Sequence, residues 1–459
     1  MQQHDKTYLF EQAPIPKAVM SLAIPGVLSS LVMVVYNLAD TFFVSMLNSA
    51  VENSAVTLVA PVMLAFNAVN NLFGVGSSSM MSRALGRKDF DTVRRSSAFG
   101  FYCALFCGIL FSALVSLFRA PLLTLLGADA VTMEATAAYM YWTVCLGAVP
   151  SILNVVLAYL FRSEGAALHA SIGTMSGCIL NIILDPIFIL PWGLDMGAAG
   201  AGCATFVSNC VACVYFLVLL AVRRGKTMVC VDPRQFSFRG DIVRGVCGVG
   251  VPASIQNLLN VVGMTVLNNF TADYQASAVA AMGIAQKVCM VPMYASMGVG
   301  QAVMPLVGYN FSGGNARRMK EGFLFATKVS LAFQVLIVVV CCLFPSAIIA
   351  LFIRDREILA YGAAFLRGLV LAQPFLCMDF LAVGVFQACG MGGKSLVFAI
   401  LRKVALEIPA LFILNALFPL YGLAYAQVCA EVVLAAAAVV MLRRIFRDAE
   451  GAAALRQNS

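Results

Sequence analysis

Four carboxylates stand inside long apolar stretches of the chain: Asp40, Asp185, Asp379 and Glu431. A charge at membrane depth costs on the order of 2.5–3.5 kcal/mol on insertion scales, so each is a functional candidate whose partner has to be found. In Val35-Tyr36-Asn37-Leu38-Ala39-Asp40-Thr41, Asn37 and Asp40 lie three positions apart, which puts an amide and a carboxylate on one helical face. The alternative is an Asp at the outer, wet interface. Asn181 and Asp185 also share a face, at i, i+4. Pro186 follows at once and denies a hydrogen bond to the carbonyl of Ile182, one turn back. These groups make a set of oxygen ligands for a hard cation, to which Thr205 can add a hydroxyl. The alternative there is a helix-ending Asp-Pro turn. Asp379 reads either as part of a second acidic site or as the partner of a basic group such as Lys287 or Arg367. Lys403 and Glu407, at i, i+4, read as a local pair near the cytoplasmic end of a helix. Tyr36, Asn37 and Asn154 are candidate lining residues of a substrate cavity, and Pro25 is either a hinge or a static kink.

Such residues need apolar elements to carry them inward. Of the 459 residues, 61% are hydrophobic and 11% charged, against roughly 25% charged in an average soluble domain. Apolar stretches follow one another from Ala18 to Met441, each long enough to cross a hydrocarbon layer about 30 Å thick. Hydropathy and turn residues predict helices over 17–43, 54–82, 92–118, 130–160, 166–190, 197–222, 242–270, 277–309, 318–347, 357–388, 395–417 and 421–445. The fold class expected is an all-α integral membrane protein of twelve transmembrane helices. Self-similarity appears at a shift of 224 to 225 residues: Gly74-Val75-Gly76 matches Gly298-Val299-Gly300, Pro150 matches Pro374, Phe161 matches Phe386, and Gly165 matches Gly390. A constant shift across a six-helix half makes a parallel repeat, two six-helix bundles in the same sense. The expected domains are 1–222, a cytoplasmic linker over 223–241, and 242–459.

The net charge of +8 sits mostly in alternate loops, with Arg83, Arg87, Lys88, Arg94 and Arg95, then Arg162, then the 223–244 group, then Arg317, Arg318 and Lys320, then Lys394, Arg402 and Lys403. That pattern is the positive-inside rule. It argues against a nucleic-acid partner and for a multi-pass protein of the cell membrane with both termini cytoplasmic. The first helix follows a polar leader with no small-residue cleavage pattern, so it is expected to be retained. Fifteen cysteines are scattered through apolar segments without metal-ligand or disulfide spacing.

Several chemistries lack their residues. Gly390-Met391-Gly392-Gly393-Lys394-Ser395 has Ala388 where a phosphate loop needs its first glycine. The two histidines, His4 and His169, lie outside the deep apolar runs, which disfavours a histidine relay or a His-ligated metal. No H-E-x-x-H occurs, so an enzyme is not expected. No cofactor is expected beyond a coupling ion.

Ala23-Ile24-Pro25, Tyr36 to Val44, Gly74 to Gly86 and Met196 to Thr205 together resemble the MATE (multidrug and toxic compound extrusion) family, in its DinF-like branch, over nearly the whole chain. The resemblance implies export of amphipathic, often cationic compounds, driven by inward Na⁺ or H⁺ through alternating access, by a monomer in the lipid bilayer. It places a cation site at Asp40, Asn181, Asp185 and Thr205 and a bending point at Pro25. The NorM-like branch often carries a glutamate eight residues after a proline of helix 7; Asn260 stands there, after Pro252, while Asp379 resembles that branch's helix 10 acid. Rival readings are a lipid-linked oligosaccharide flippase, which would want a basic cavity, an intramembrane enzyme, and a passive channel.

Overall fold

A computed structural model describes residues 4–47 and 49–457. The few terminal residues of the expected bundles, 1–3 and 458–459, lie outside the described residues. Among those described the chain is helical with no strand, the arrangement that satisfies every backbone group within its own segment where no water is available. We number the spanning helices α1 (Ile15–Ser45), α2 (Ala50–Gly86), α3 (Phe90–Leu117), α4 (Met133–Leu146 with Ala148–Ser163), α5 (Ala167–Ile189), α6 (Gly197–Val222), α7 (Gly240–Ala272), α8 (Ala276–Ser312), α9 (Ala316–Leu343), α10 (Arg356–Ala388), α11 (Gly392–Ile400, Leu401–Glu407 and Ile408–Leu417, continuous) and α12 (Tyr421–Gln457). Ten are long and apolar enough to cross a membrane, and α4, bent by 47° between its pieces, makes an eleventh. The remaining one, α11, carries Arg402, Lys403 and Glu407 within its span.

Each expected helix therefore has its counterpart, with differences at the ends. α12 continues past its expected end at 445 to Gln457, so Arg443, Arg444 and Arg447 are all helical. A short leading helix, His4–Glu11, precedes α1. Asp89 caps α3 by accepting from the Thr92 amide at 3.1 Å, and Asn315 caps α9 in the matching place of the repeat by accepting from the Arg318 amide at 3.0 Å. Hydrogen bonds from Thr92 hold the Asp89 carboxyl below the usual carboxylate range. One stripe of α3 presents Phe106, Ile109, Leu110, Leu114 and Leu117 outward, while Ala104, Gly108 and Val115 turn in. That sorting gives a lipid face and a protein face.

Compactness divides the chain into two units: residues 28–254 with the first few residues, and residues 9–27 with 255–459. The start of α1 thus belongs to the second unit and the start of α7 to the first. In the second unit, Arg318 donates to the carbonyls of Leu9 (3.1 Å), Phe10 (2.5 Å) and Ala13 (2.6 Å). A Cβ on Gly26 would meet the Gly298 carbonyl at 2.9 Å. In the first unit, the Ser254 hydroxyl donates to the Ala68 carbonyl at 2.5 Å, and a Cβ on Gly76 would run into the Val246 carbonyl. The two repeated Gly-Val-Gly stretches therefore serve one purpose in both units, the close approach of a helix contributed by the other half of the sequence.

The linker is fixed to the first unit. The carboxylate of Glu164 accepts from the Thr227 hydroxyl (2.8 Å) and the Met228 amide (2.6 Å). Ser97 accepts from the Cys230 amide at 3.0 Å, and the Tyr102 hydroxyl donates to the Val231 carbonyl at 2.7 Å. Phe236 stacks on Phe99 with ring centres 6.2 Å apart.

Candidate functional site

In the first unit, α1, α4, α5 and α6 bring together residues far apart in sequence. Asp185 is fully buried on α5, and Asn181, one turn earlier, is 2% exposed. Thr205 of α6 stands against Asn181, as expected for two helices that pack along their small residues: a Cβ on Gly177 of α5 would touch the Ala212 side chain at 3.2 Å. The Asn181 carboxamide has one orientation that satisfies all its atoms. Its nitrogen then donates to Asp185 at 2.8 Å, and its oxygen accepts from the Thr205 amide at 3.0 Å and hydroxyl at 3.3 Å. The opposite orientation would set two oxygens face to face and is satisfied only with a proton or a cation between them. Pro186 does not end the helix, which continues to Ile189.

Asp40 is half-buried on α1 and is the charge that Asp185 feels most strongly. Tyr36, one turn before Asp40, stands near Thr205 and within electrostatic reach of Asp40. The four residues expected to form one site, Asp40, Asn181, Asp185 and Thr205, are therefore placed together, with Tyr36 beside them. Two other expectations part company with the cluster. Asn37 donates to the Met33 carbonyl of its own helix at 2.8 Å. Asn154, 8% exposed, donates to Asn209 of α6 at 3.1 Å.

Sequence reasoning missed Tyr139, 4% exposed on α4, which lies within electrostatic reach of both Asp40 and Asp185. Nothing in its spacing marks it. It sits just before the wide π-helical turn Tyr141–Leu146, and such turns often re-aim residues at functional sites. Glu52 was also unmarked: it stands in the first turn of α2, and its carboxylate caps α6 by accepting from the Ala198 amide at 2.5 Å, holding the helix that carries Thr205.

In the second unit, three expectations need correction. Arg402 and Lys403, counted with the basic loops by charge although the helix expected over 395–417 contains them, lie inside α11 in the π-helical turn Leu401–Glu407, buried at 2% and 8% exposure. Asp379 pairs with Arg402 rather than Lys287 or Arg367. Lys403 and Glu407 do pair, at 2.6 Å, but in the middle of α11 rather than at its end. Asn260 joins Asp379 through Arg402, which donates to both. In the first unit Arg162 likewise turns inward, 9% exposed, and donates to Ser29 at 3.4 Å.

Among the described residues no three His, Cys, Asp or Glu side chains come together as a metal-holding set, so what the first-unit cluster offers is two carboxylates with an amide and a hydroxyl. Comparison with known proteins bears on what such a cluster serves. The family model described as MatE matches residues 25–187 and again 252–413, one match in each half. A multidrug export protein of Staphylococcus aureus, MepA, is 31% identical over 442 residues, covering 95% of this chain and 96% of its own. A multidrug resistance MATE family transporter solved in an outward-facing conformation superposes with a TM-score of 0.91 at 26% identity, over 97% of this chain and 98% of its own. A MATE protein solved in a straight conformation gives a TM-score of 0.91 at 26% identity, over 97% and 99%.

Proposed function

Because the chain belongs to the MATE family of multidrug efflux transporters, a family of transporters and not of enzymes, we propose that it exports amphipathic and cationic compounds by antiport against inward-moving Na⁺ or H⁺. The observation that carries this reading is the meeting of Asp40, Asn181, Asp185 and Thr205 in one unit, two carboxylates with neutral oxygens and, among the described residues, no basic side chain hydrogen-bonded to any of the four.

The coupling works by competition. With no ion present, Asn181 satisfies Asp185 through its nitrogen, and the site's negative charge attracts a cationic substrate. When a proton or Na⁺ binds between Asp185 and Asn181, the amide turns its oxygen to that ion and the charge is neutralised. Ion and drug thus favour opposite states, and linkage converts the difference into exchange. Tyr36 is a substrate-contacting residue in this scheme, with Asn37 and Asn154 as polar positions further from the ion. Pro25 is the bending point of α1: the helix runs through it without a break, two residues before the chain passes from one compact unit to the other. Pro252 occupies the comparable place in α7, two residues before Ser254.

The protein is multi-pass, and in this reading it acts as a monomer in the cell membrane with both termini cytoplasmic, an orientation supported by the basic residues of its alternate loops. A flippase for lipid-linked oligosaccharides would need basic side chains around a pyrophosphate, whereas the first-unit set is acidic. The test is efflux of a cationic dye from proteoliposomes under an imposed Na⁺ gradient and, separately, a pH gradient. Asp40→Asn and Asp185→Asn should each abolish gradient-driven efflux while the protein still inserts. Normal efflux by either variant would sink the reading.

A further inference from the structure

The larger set of buried charges lies in the second unit. Arg402, 2% exposed, donates through one terminal nitrogen to Asp379 of α10 and through the other to the side-chain oxygen of Asn260 of α7. Its Nε stands 4.0 Å from Glu431 of α12. Asp379 is 1% exposed and Glu431 fully buried. The Nε of Arg402, the second oxygen of Asp379 and both oxygens of Glu431 have no hydrogen-bond partner among the described residues. Neighbouring Lys403 does not help them, since it is committed to Glu407 at 2.6 Å. Three helices therefore aim two carboxylates and an amide oxygen at one point, and a fourth helix places a guanidinium there.

Two carboxylates and an amide carbonyl are the oxygen chemistry that holds a hard monovalent cation. Arg402 meets them as an ion would, on several helices at once, and its charge is permanent. It does not exhaust them: with Lys403 committed to Glu407, one oxygen of Asp379 and both oxygens of Glu431 remain without a hydrogen-bond partner among the described residues. Unused acceptors around a fixed cation are what remains when the position of a freely coordinated ion is filled through a side chain tied to α11, which can reach two ligands well and the third poorly.

We propose that Arg402 is a tethered counter-cation: its guanidinium fills a monovalent-cation site formed by Asp379, Asn260 and Glu431, so that the second unit carries its cation permanently and exchanges none with the solution. The consequence is that the second unit offers no exchangeable ion position, although the acidic ligands of one are present. The proposal concerns the second unit alone and does not depend on what the first-unit cluster does.

The test uses the full-length protein carrying Asp40→Asn and Asp185→Asn, so that any ion response comes from the second unit. Melting temperature is measured in sodium chloride and in choline chloride at equal ionic strength. The parent and Arg402→Lys should be indifferent to the choice of salt. Arg402→Met should gain a stabilisation that grows with the logarithm of Na⁺ concentration, about 2 °C at a tenfold excess over its Kd, and adding Glu431→Gln should remove that gain. Accumulation of folded Arg402→Met only in the presence of Na⁺ would support the proposal equally. A folded Arg402→Met no more responsive than the parent, a parent already stabilised by Na⁺, or an Arg402→Met that fails to fold in both salts would each overturn it.

Discussion

Replacing Lys403 by Met should cost about 3–5 kcal/mol, because removing one partner leaves the other as an uncompensated buried charge. Replacing Glu407 by Gln at the same time should bring the stability back to within about 1 kcal/mol of the parent, since a buried pair exchanged for neutral groups of similar volume is often near neutral. The geometry sets the scale. The ammonium lies 2.6 and 2.7 Å from the two carboxylate oxygens, with the side chains 10% and 7% exposed. At an effective dielectric near 20 that separation corresponds to about 6 kcal/mol of attraction, most of it offset by the cost of taking both charges out of water. Packing should change little in the Met variant: the Lys403 stem passes 2.8 Å from where a Cβ on Gly263 would stand, and an unbranched Met side chain keeps to the same groove. The assay is a double-mutant cycle on unfolding in detergent. Additive losses, with the double variant as weak as the sum of the singles, would refute the claim that the pair's value lies in mutual compensation.

Gly76→Ala should destabilise by about 1–3 kcal/mol, since its Cβ would collide with the Val246 carbonyl; Gly248→Ala, facing open space in α7, should stabilise by about 0.5–1 kcal/mol through helix propensity. Thermal melts of the two side by side check the contrast. Glu52→Ala should cost about 1 kcal/mol through the lost cap on Ala198, with Glu52→Gln losing less. Glu164→Ala should release the linker from Thr227 and Met228 and speed tryptic cleavage at Arg234 and Arg239, read by gel against the parent; unchanged cleavage would mean that the aromatic contacts hold the linker alone.

The helices and the repeat were legible because both rest on long-range regularities: an apolar run long enough to span lipid has few other uses, and Gly74 and Gly298 recur with their surroundings. The first-unit cluster was legible for a related reason. Carboxylates are so costly in apolar segments that Asp40 and Asp185 mark themselves, and i, i+4 spacing joined Asn181 to one of them before any packing was known. The second-unit cluster was not. Arg402 and Lys403 fall within the helix expected over 395–417, but two basic residues shortly after Lys394 read as part of a wet cytoplasmic end rather than as buried groups. Both are buried within the π-helical turn Leu401–Glu407, which no sequence period announces. Tyr139 and Glu52 were invisible for another reason: each acts on a helix remote in sequence, and contacts of that kind are decided by which helices pack together.

The exchange of helix starts also bears on biosynthesis. A cut in the 223–241 linker yields fragments of nearly equal length, yet the N-terminal fragment lacks residues 242–254 of its own compact unit, and the C-terminal fragment lacks residues 9–27 of its unit. During synthesis the earlier unit stays incomplete, with Gly76 awaiting Val246, until the seventh helix begins to emerge. Two co-expressed fragments should therefore complement each other as interlocking pieces, while either alone is expected to be degraded.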